Sequence, residues 1–247
     1  IFGDTLDSRM LEEMTGSVAA ARQVEAAIEE AGLPATEENV ADIQETLEQA
    51  ADLTTCSDEA VKYMLDNELE PTVENLYKAQ HSSGIMPQQD MAITLDDSLT
   101  GQVSQVIMQA GRSVDDTTLA VSQWMLENQI PLTAENLNYV MDLKDMKLPP
   151  EVDQVMGAVI QAVTEGGRPG NAVILDGYSN IDRAQQSAQV IEQATDADVW
   201  NVVQRGMPVT IESLEAARNY NAQQSAQSGG RNNDKAAEIP EYAKDDL

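Results

Sequence analysis

Cys56 and His81 carry the most obvious chemistry in the chain, because a thiol beside an imidazole is a nucleophile with its base. Each is the sole residue of its type. One cysteine forms no intrachain disulfide, and one cysteine with one histidine cannot complete a Cys/His zinc site. Their settings point to structural work instead. Cys56 lies in Leu53-Thr54-Thr55-Cys56-Ser57-Asp58, just ahead of a helix start, where a small half-buried thiol is ordinary. His81 follows Tyr77-Lys78-Ala79-Gln80 and precedes Ser82-Ser83-Gly84, a polar helix end where a positive or polar residue suits the dipole.

Carboxylates are the other chemical resource: 43 Asp and Glu stand against 14 Lys and Arg, a net charge of −29 over 247 residues. The aspartates at Asp96-Asp97, Asp115-Asp116, Asp196 with Asp198, and Asp176 through Asp182 invite a calcium reading. None has the alternating ligands, central glycine and twelfth-position glutamate of an EF-hand loop. Several precede helices, where aspartate is a favoured cap. No carboxylate pair stands out for general acid–base work, which needs a concave site and separated pKa values. The run Gly166-Gly167-Arg168-Pro169-Gly170-Asn171 lacks the lysine and Ser/Thr of a phosphate loop, and no convincing strand precedes it. It reads as a flexible linker. Trp124 and Trp200 read as plugs of a helical core. The sequence therefore assigns no catalytic, cofactor-binding or metal-ligating residue.

The charge excludes partners as well. A phosphate backbone is gripped by clustered Lys and Arg, so nucleic acid and anionic membrane surfaces are both disfavoured. No apolar run approaches the roughly 20 residues that span a bilayer. A chain beginning at Ile1 reads as an excerpt or a processed form, and the missing disulfides fit a cytoplasmic protein.

The elements that would position any site show themselves in a recurring phrase. It reads Ala35-Thr36-Glu37-Glu38-Asn39-Val40, Pro71-Thr72-Val73-Glu74-Asn75-Leu76, Leu132-Thr133-Ala134-Glu135-Asn136-Leu137 and Val209-Thr210-Ile211-Glu212-Ser213-Leu214. Pro34, Pro71, Pro131 and Pro208 stand one or two residues before the threonines, and Gly32, Asn67, Asn128 and Gly206 four or five before. Gly or Asn tolerates the left-handed backbone that closes a helix. Proline stops its continuation, threonine caps the next helix, and glutamate in its first turn meets the dipole. The phrase is thus a joint between two helices. Ala60, Val61, Met64 and Leu65 precede the second joint, Val121, Trp124 and Met125 the third, and Val199, Val202 and Val203 the fourth, each at helical spacing. A thinner stripe of Val24, Ile28 and Ala31 precedes the first.

Intervals of 36, 61 and 77 residues separate Thr36, Thr72, Thr133 and Thr210, so the array is not a strict tandem repeat. Spacer helices fill the difference. Their stripes are Leu99, Val103, Val106, Ile107 and Ala110; Val152, Val155, Met156, Val159, Ile160 and Val163; and Ile181, Ala184, Ala188, Ile191 and Ala194. Ala172 to Gly177 is the one stretch resembling a short strand, and Gly84 to Asp90 is a second Gly/Pro-bearing break.

The four joints, Thr36 to Val40, Thr72 to Leu76, Thr133 to Leu137 and Thr210 to Leu214, resemble those of helical-repeat proteins of clostridia and related Firmicutes. Some of these are encoded near flagellar genes and look akin to the N-terminal regions of hook-length-control-type proteins. The resemblance implies a helical fold and no particular activity.

The expectation is an all-α fold: an irregular array of helical hairpins with spacer helices. Residues 1–166 form a helical-repeat domain, 167–222 a smaller helical unit, and 223–247 a disordered acidic and polar tail. The expected role is a non-catalytic, acidic interaction or assembly module, associated with flagella on the resemblance, whose partner is a protein with a basic surface. The competing expectation is an enzyme or small-ligand binder with a pocket between the two units, near Gly166 to Asn171.

Overall fold

The four threonines do start helices. In the computed structural model, which describes residues 6–82, 93 and 96–228, Thr36, Thr72, Thr133 and Thr210 each accept a hydrogen bond at Oγ1 from the amide three residues on. The distances are 3.3, 3.2, 3.1 and 3.2 Å. That third residue reaches back in turn. Asn39, Asn75 and Asn136 donate through Nδ2 to the carbonyls of Pro34, Glu70 and Pro131, at 2.8, 3.0 and 2.9 Å. Ser213 does the same with its hydroxyl, 2.8 Å from the Pro208 oxygen. Each helix start is thus clamped to the chain that leads into it. The serine of the fourth copy is a chemical equivalent and not a degenerate position.

The preceding helices close by a shared device. The amides of Leu33, Leu69, Ile130 and Met207 donate five residues back, to Ile28, Met64, Met125 and Val202, as in a Schellman ending. The left-handed residue in these four turns is Gly32, Glu68, Gln129 and Gly206, with φ of 67°, 51°, 60° and 68°. The expectation that Asn67 and Asn128 take this conformation is therefore corrected. Their φ values are −105° and −91°. Each instead turns Nδ2 onto the carbonyl four residues earlier, of Tyr63 and Trp124. That carbonyl also accepts the residue's own backbone amide, so main chain and side chain hold the last turn together, and the backbone reversal falls one residue on.

Among the described residues the fold is all-α, without strands. The helices are α1 (Ser8–Thr15), α2 (Val18–Glu30), α3 (Glu37–Asp52), α4 (Asp58–Asp66), α5 (Val73–Ser82), α6 (Asp97–Gln109), α7 (Asp116–Glu127), α8 (Ala134–Asp145), α9 (Val152–Thr164), α10 (Asn180–Gln193), α11 (Asp196–Gln204) and α12 (Ile211–Ser228). A single 3-10 turn spans Pro169–Asn171. The break at Gly84 to Asp90 lies outside the described residues, as do residues 229–247. The first residues of the expected tail, 223–228, continue α12.

By packing, the chain falls into two units: Ile1–Pro87 with Asp142–Ser179, and Gln88–Met141 with Asn180–Leu247. Each gathers stretches far apart in sequence. In the first unit α2 packs on α1, α3 and α9, and α5 packs on α3 and α4. Its core holds Leu11, Val24, Ile43, Leu53, Val61, Met64, Leu76 and Val159. In the second unit α12 packs on α6, α10 and α11, and α6 packs on α7. Val103, Ile107, Met125, Leu137, Val140 and Val202 are buried there.

Residues 166–171 are not a slack linker. Gly167 N donates to Ala162 O at 2.8 Å, and a Cβ on Gly167 would sit 3.0 Å from that same oxygen. The glycine serves close approach, not mobility. The following 3-10 turn packs against α3, α5 and α9 within the first unit. The strand-like Ala172 to Gly177 makes one antiparallel bridge, Val173 with Thr72, flanked by Val73 N to Ala172 O and Ile174 N to Pro71 O. The second joint is thus pinned by main-chain bonds as well as by its cap.

Candidate functional site

Cys56 and His81 are held by different partners. Cys56 is buried, and Gln80 Nε2 lies 3.8 Å from its Sγ. Burial pushes the thiol's pKa up, with the Gln80 contact opposing in part. A nucleophile needs the thiolate, so this environment works against one. The Gln80 amide chiefly ties down the loop entering α4: it donates to Thr54 O at 2.6 Å and accepts from Thr54 N at 2.9 Å. His81 places Nδ1 2.8 Å from Tyr77 O, and its ring stacks on Tyr77 with centroids 4.0 Å apart. Both residues serve local structure.

Of the aspartates that suggested calcium, Asp96, Asp115 and Asp198 serve as helix caps or complete a capping box. Asp96 accepts from Leu99 N at 2.8 Å. Asp198, itself buried, completes a capping box with Thr195, its Oδ2 accepting from the Thr195 amide and hydroxyl at 2.9 and 2.7 Å. Its other oxygen accepts from Asn221 Nδ2, and Asn221 Oδ1 accepts from Asn201 Nδ2, an amide chain that locks α11 to α12. Glu212, in the first turn of α12, has its pKa lowered by its own backbone amide and by the Thr210 hydroxyl. Among the described residues no group of three or more His, Cys, Asp and Glu converges as metal ligands.

Asp115 reveals a joint that the threonine signature hides. Gly111 takes φ 74°, and Arg112 N donates to Ile107 O, the same helix ending as at the other joints. Asp115 Oδ1 then accepts from Thr118 N at 2.9 Å, and Thr118 Oγ1 donates back to Ser113 O at 2.8 Å. Aspartate replaces the capping threonine and threonine replaces the reaching asparagine. The signal in the sequence is Gly-x-x-x-Asp-x-x-Thr-Leu, Gly111 to Leu119, which shares the hydrogen-bonding roles of the other joints but not their residue identities.

Two hollows are candidates for a ligand. One, inside the first unit, is lined by Asp42, Glu45 and Gln49 of α3, Glu74 of α5 and Arg168 to Gly170 of the 3-10 turn. The segment suggested by the competing expectation does border a cavity, but one within a single unit. Its interior is about 50 Å³, far below the roughly 300–1,000 Å³ of small-molecule pockets. Its carboxylates form an acidic rim, and Glu74 pairs with Lys78 at 2.5 Å.

The other hollow, of about 430 Å³ in the second unit, opens beside Arg112, Asp115, Thr118 and Asn138. Its polar groups are engaged with one another. Arg112 Nε donates to Asn138 Oδ1 at 2.6 Å, and Asn138 Nδ2 donates to Ala110 O at 3.0 Å. From α12, Asn219 and Gln223 donate to the carbonyls of Gln109 and Arg112. These amides satisfy the orphaned carbonyls at the end of α6, which is a structural task. No helix among the described residues is long and apolar enough to cross a membrane.

Compared with known proteins, the chain matches the model of a family of unknown function, DUF6240, over residues 11–194. No curated protein and no solved structure matches it.

Proposed function

Since the chain belongs to this DUF6240 family of unknown function, we propose that it is a non-catalytic, acidic helical-hairpin protein that acts as an interaction or assembly module for proteins with basic surfaces. The observation that carries this reading is the division of labour among its polar residues. Asn, Thr, Ser and Asp side chains at the joints are consumed in caps and clamps. The carboxylates outside the caps, such as Glu45 and Glu48 of α3, form a strongly negative surface on a chain of net charge −29. Such a field raises the encounter rate with cationic partners and repels acidic ones. The resemblance of the joints to proteins encoded near flagellar genes supports an association with flagella.

The test is capture on the immobilised chain at low ionic strength, followed by stepwise elution with salt. Basic proteins that leave as salt rises support the reading. Failure to retain any protein at low ionic strength overturns it.

A further inference from the structure

α10 carries an apolar stripe that the fold does not use. Ile181, Ala184, Ala188 and Ile191 recur at steps of three, four and three, the spacing of an a/d seam. All four are exposed, Ile181 at 48% and Ile191 at 61%. The helix packs on α12 through another face, where Val190 is buried and Arg218 Nη1 donates to Gln193 Oε1 at 2.9 Å. Here the sequence writes a core stripe, and within its unit the described residues leave it exposed. Such a conflict between pattern and burial marks an interface.

We infer that this stripe is covered by α10 of a second copy of the chain, running antiparallel about a two-fold axis. The order Ile-x-x-Ala-x-x-x-Ala-x-x-Ile reads the same in both directions. Antiparallel pairing therefore sets Ile181 against the other copy's Ile191 and Ala184 against its Ala188, large beside large and small beside small. An isologous interface requires this self-complementarity.

The charge pattern suits the same occupant. The positions flanking the seam are Asn180, Gln185, Ser187 and Ala194, with Glu192 the one charged group among them. Gln185 and Ser187 lie nearest the two-fold and meet their own copies, amide to amide and hydroxyl to hydroxyl. Fields are screened over about 8 Å at physiological salt, so most of the −29 on each copy does not act across the seam. The helix's own Asp182, Arg183 and Glu192 sum to one negative charge. Fourteen residues give a seam about 21 Å long, which at a helix width of about 10 Å covers roughly 200 Å², well short of the roughly 800 Å² per partner of a stable interface. The association is accordingly weak and reversible. Salt strengthens it by screening, whereas salt weakens binding to a basic partner, so the two behaviours are separable.

The experiment is sedimentation equilibrium of the full chain from micromolar to millimolar concentration at 0.05, 0.15 and 0.5 M NaCl. The mass should rise from 26.8 kDa towards twice that value, further at high salt than at low. Ile191→Glu, at an exposed position that leaves the fold intact by circular dichroism, should raise the dissociation constant at least tenfold. A second measurement reads the register. In a Cys56→Ser background, a mixture of Ile181→Cys and Ile191→Cys chains should form the mixed disulfide faster than either chain alone cross-links with itself. A monomer at every concentration and salt overturns the inference. So does self-association that falls with salt, that survives Ile191→Glu, or that favours 181–181 over 181–191 cross-links.

Discussion

The third joint lends itself to a graded test, since four substitutions within five residues should differ in cost for different physical reasons. Leu137 is fully buried, one turn beyond the cap, so Leu137→Ala should cost about 2–5 kcal/mol through lost transfer energy and the cavity left behind. Thr133 Oγ1 accepts from Asn136 N in an exposed setting where water can take its place, so Thr133→Ala should cost about 1 kcal/mol or a little less. Asn136→Ala removes the clamp on Pro131 O, worth about 0.5–1.5 kcal/mol. Asn136→Ser should be nearly free, because the Ser213 hydroxyl makes that same bond at the fourth joint.

Urea unfolding followed by tryptophan fluorescence suits this series. Trp124 and Trp200 both lie in the unit formed by Gln88–Met141 and Asn180–Leu247, so the signal reports that unit without assuming that the two unfold together. The midpoint should fall most for Leu137→Ala, less for Thr133→Ala and Asn136→Ala, and least for Asn136→Ser, while the slope stays constant. Equal costs for Asn136→Ser and Asn136→Ala would refute the clamp. A Leu137→Ala cost below about 1 kcal/mol would refute the placement of the joint against a core.

Other outcomes follow from individual sites. Glu68→Gly and Gln129→Gly should each stabilise by up to about 1 kcal/mol, since both residues hold the left-handed conformation that costs an L side chain about 1–2 kcal/mol; thermal melting checks this. Thr72→Ala should cost more than Thr210→Ala, about 2 against about 1 kcal/mol or less, because Thr72 is buried in its bridge to Val173 and Thr210 is exposed; denaturant midpoints decide. Cys56, with its pKa raised by burial, should react slowly with a thiol reagent until the chain unfolds. The unfolded thiol ionises first, at a pKa of about 8.5, so this group's contribution to stability is complete below that pH and declines above it; Cys56→Ser should flatten that decline. Self-repulsion at −29 should make the melting temperature climb as salt is added, which calorimetry across salt concentrations would show.

The joints were legible because capping is local: Thr36, its Asn39 and the preceding Pro34 lie within six residues, and each residue type has one main job there. What escaped was exchange between chemically equivalent residues and anything decided at long range. The joint at Asp115 uses carboxylate for hydroxyl and hydroxyl for amide, so it does not share the threonine signature. Asn67 and Asn128 were expected to bend the backbone, but their amides find a better use on the preceding turn. Gly166 to Asn171 looked slack from composition, yet α3, α5 and α9 hold it. The stripe of α10 looked like core, and only the fold shows Val190 turned inward and Ile181 and Ile191 outward. For the site, the carboxylates were countable, whereas the acidic rim around Asp42, Glu45 and Glu74 depends on packing between helices distant in sequence.

The measurement that bears most directly on the interaction role is the salt dependence of affinity for a captured partner. Titrations at several salt concentrations should give a binding constant that falls steeply and linearly in a plot of log K against log salt, because the surface carboxylates supply the attraction. A constant that does not change with salt would contradict that role.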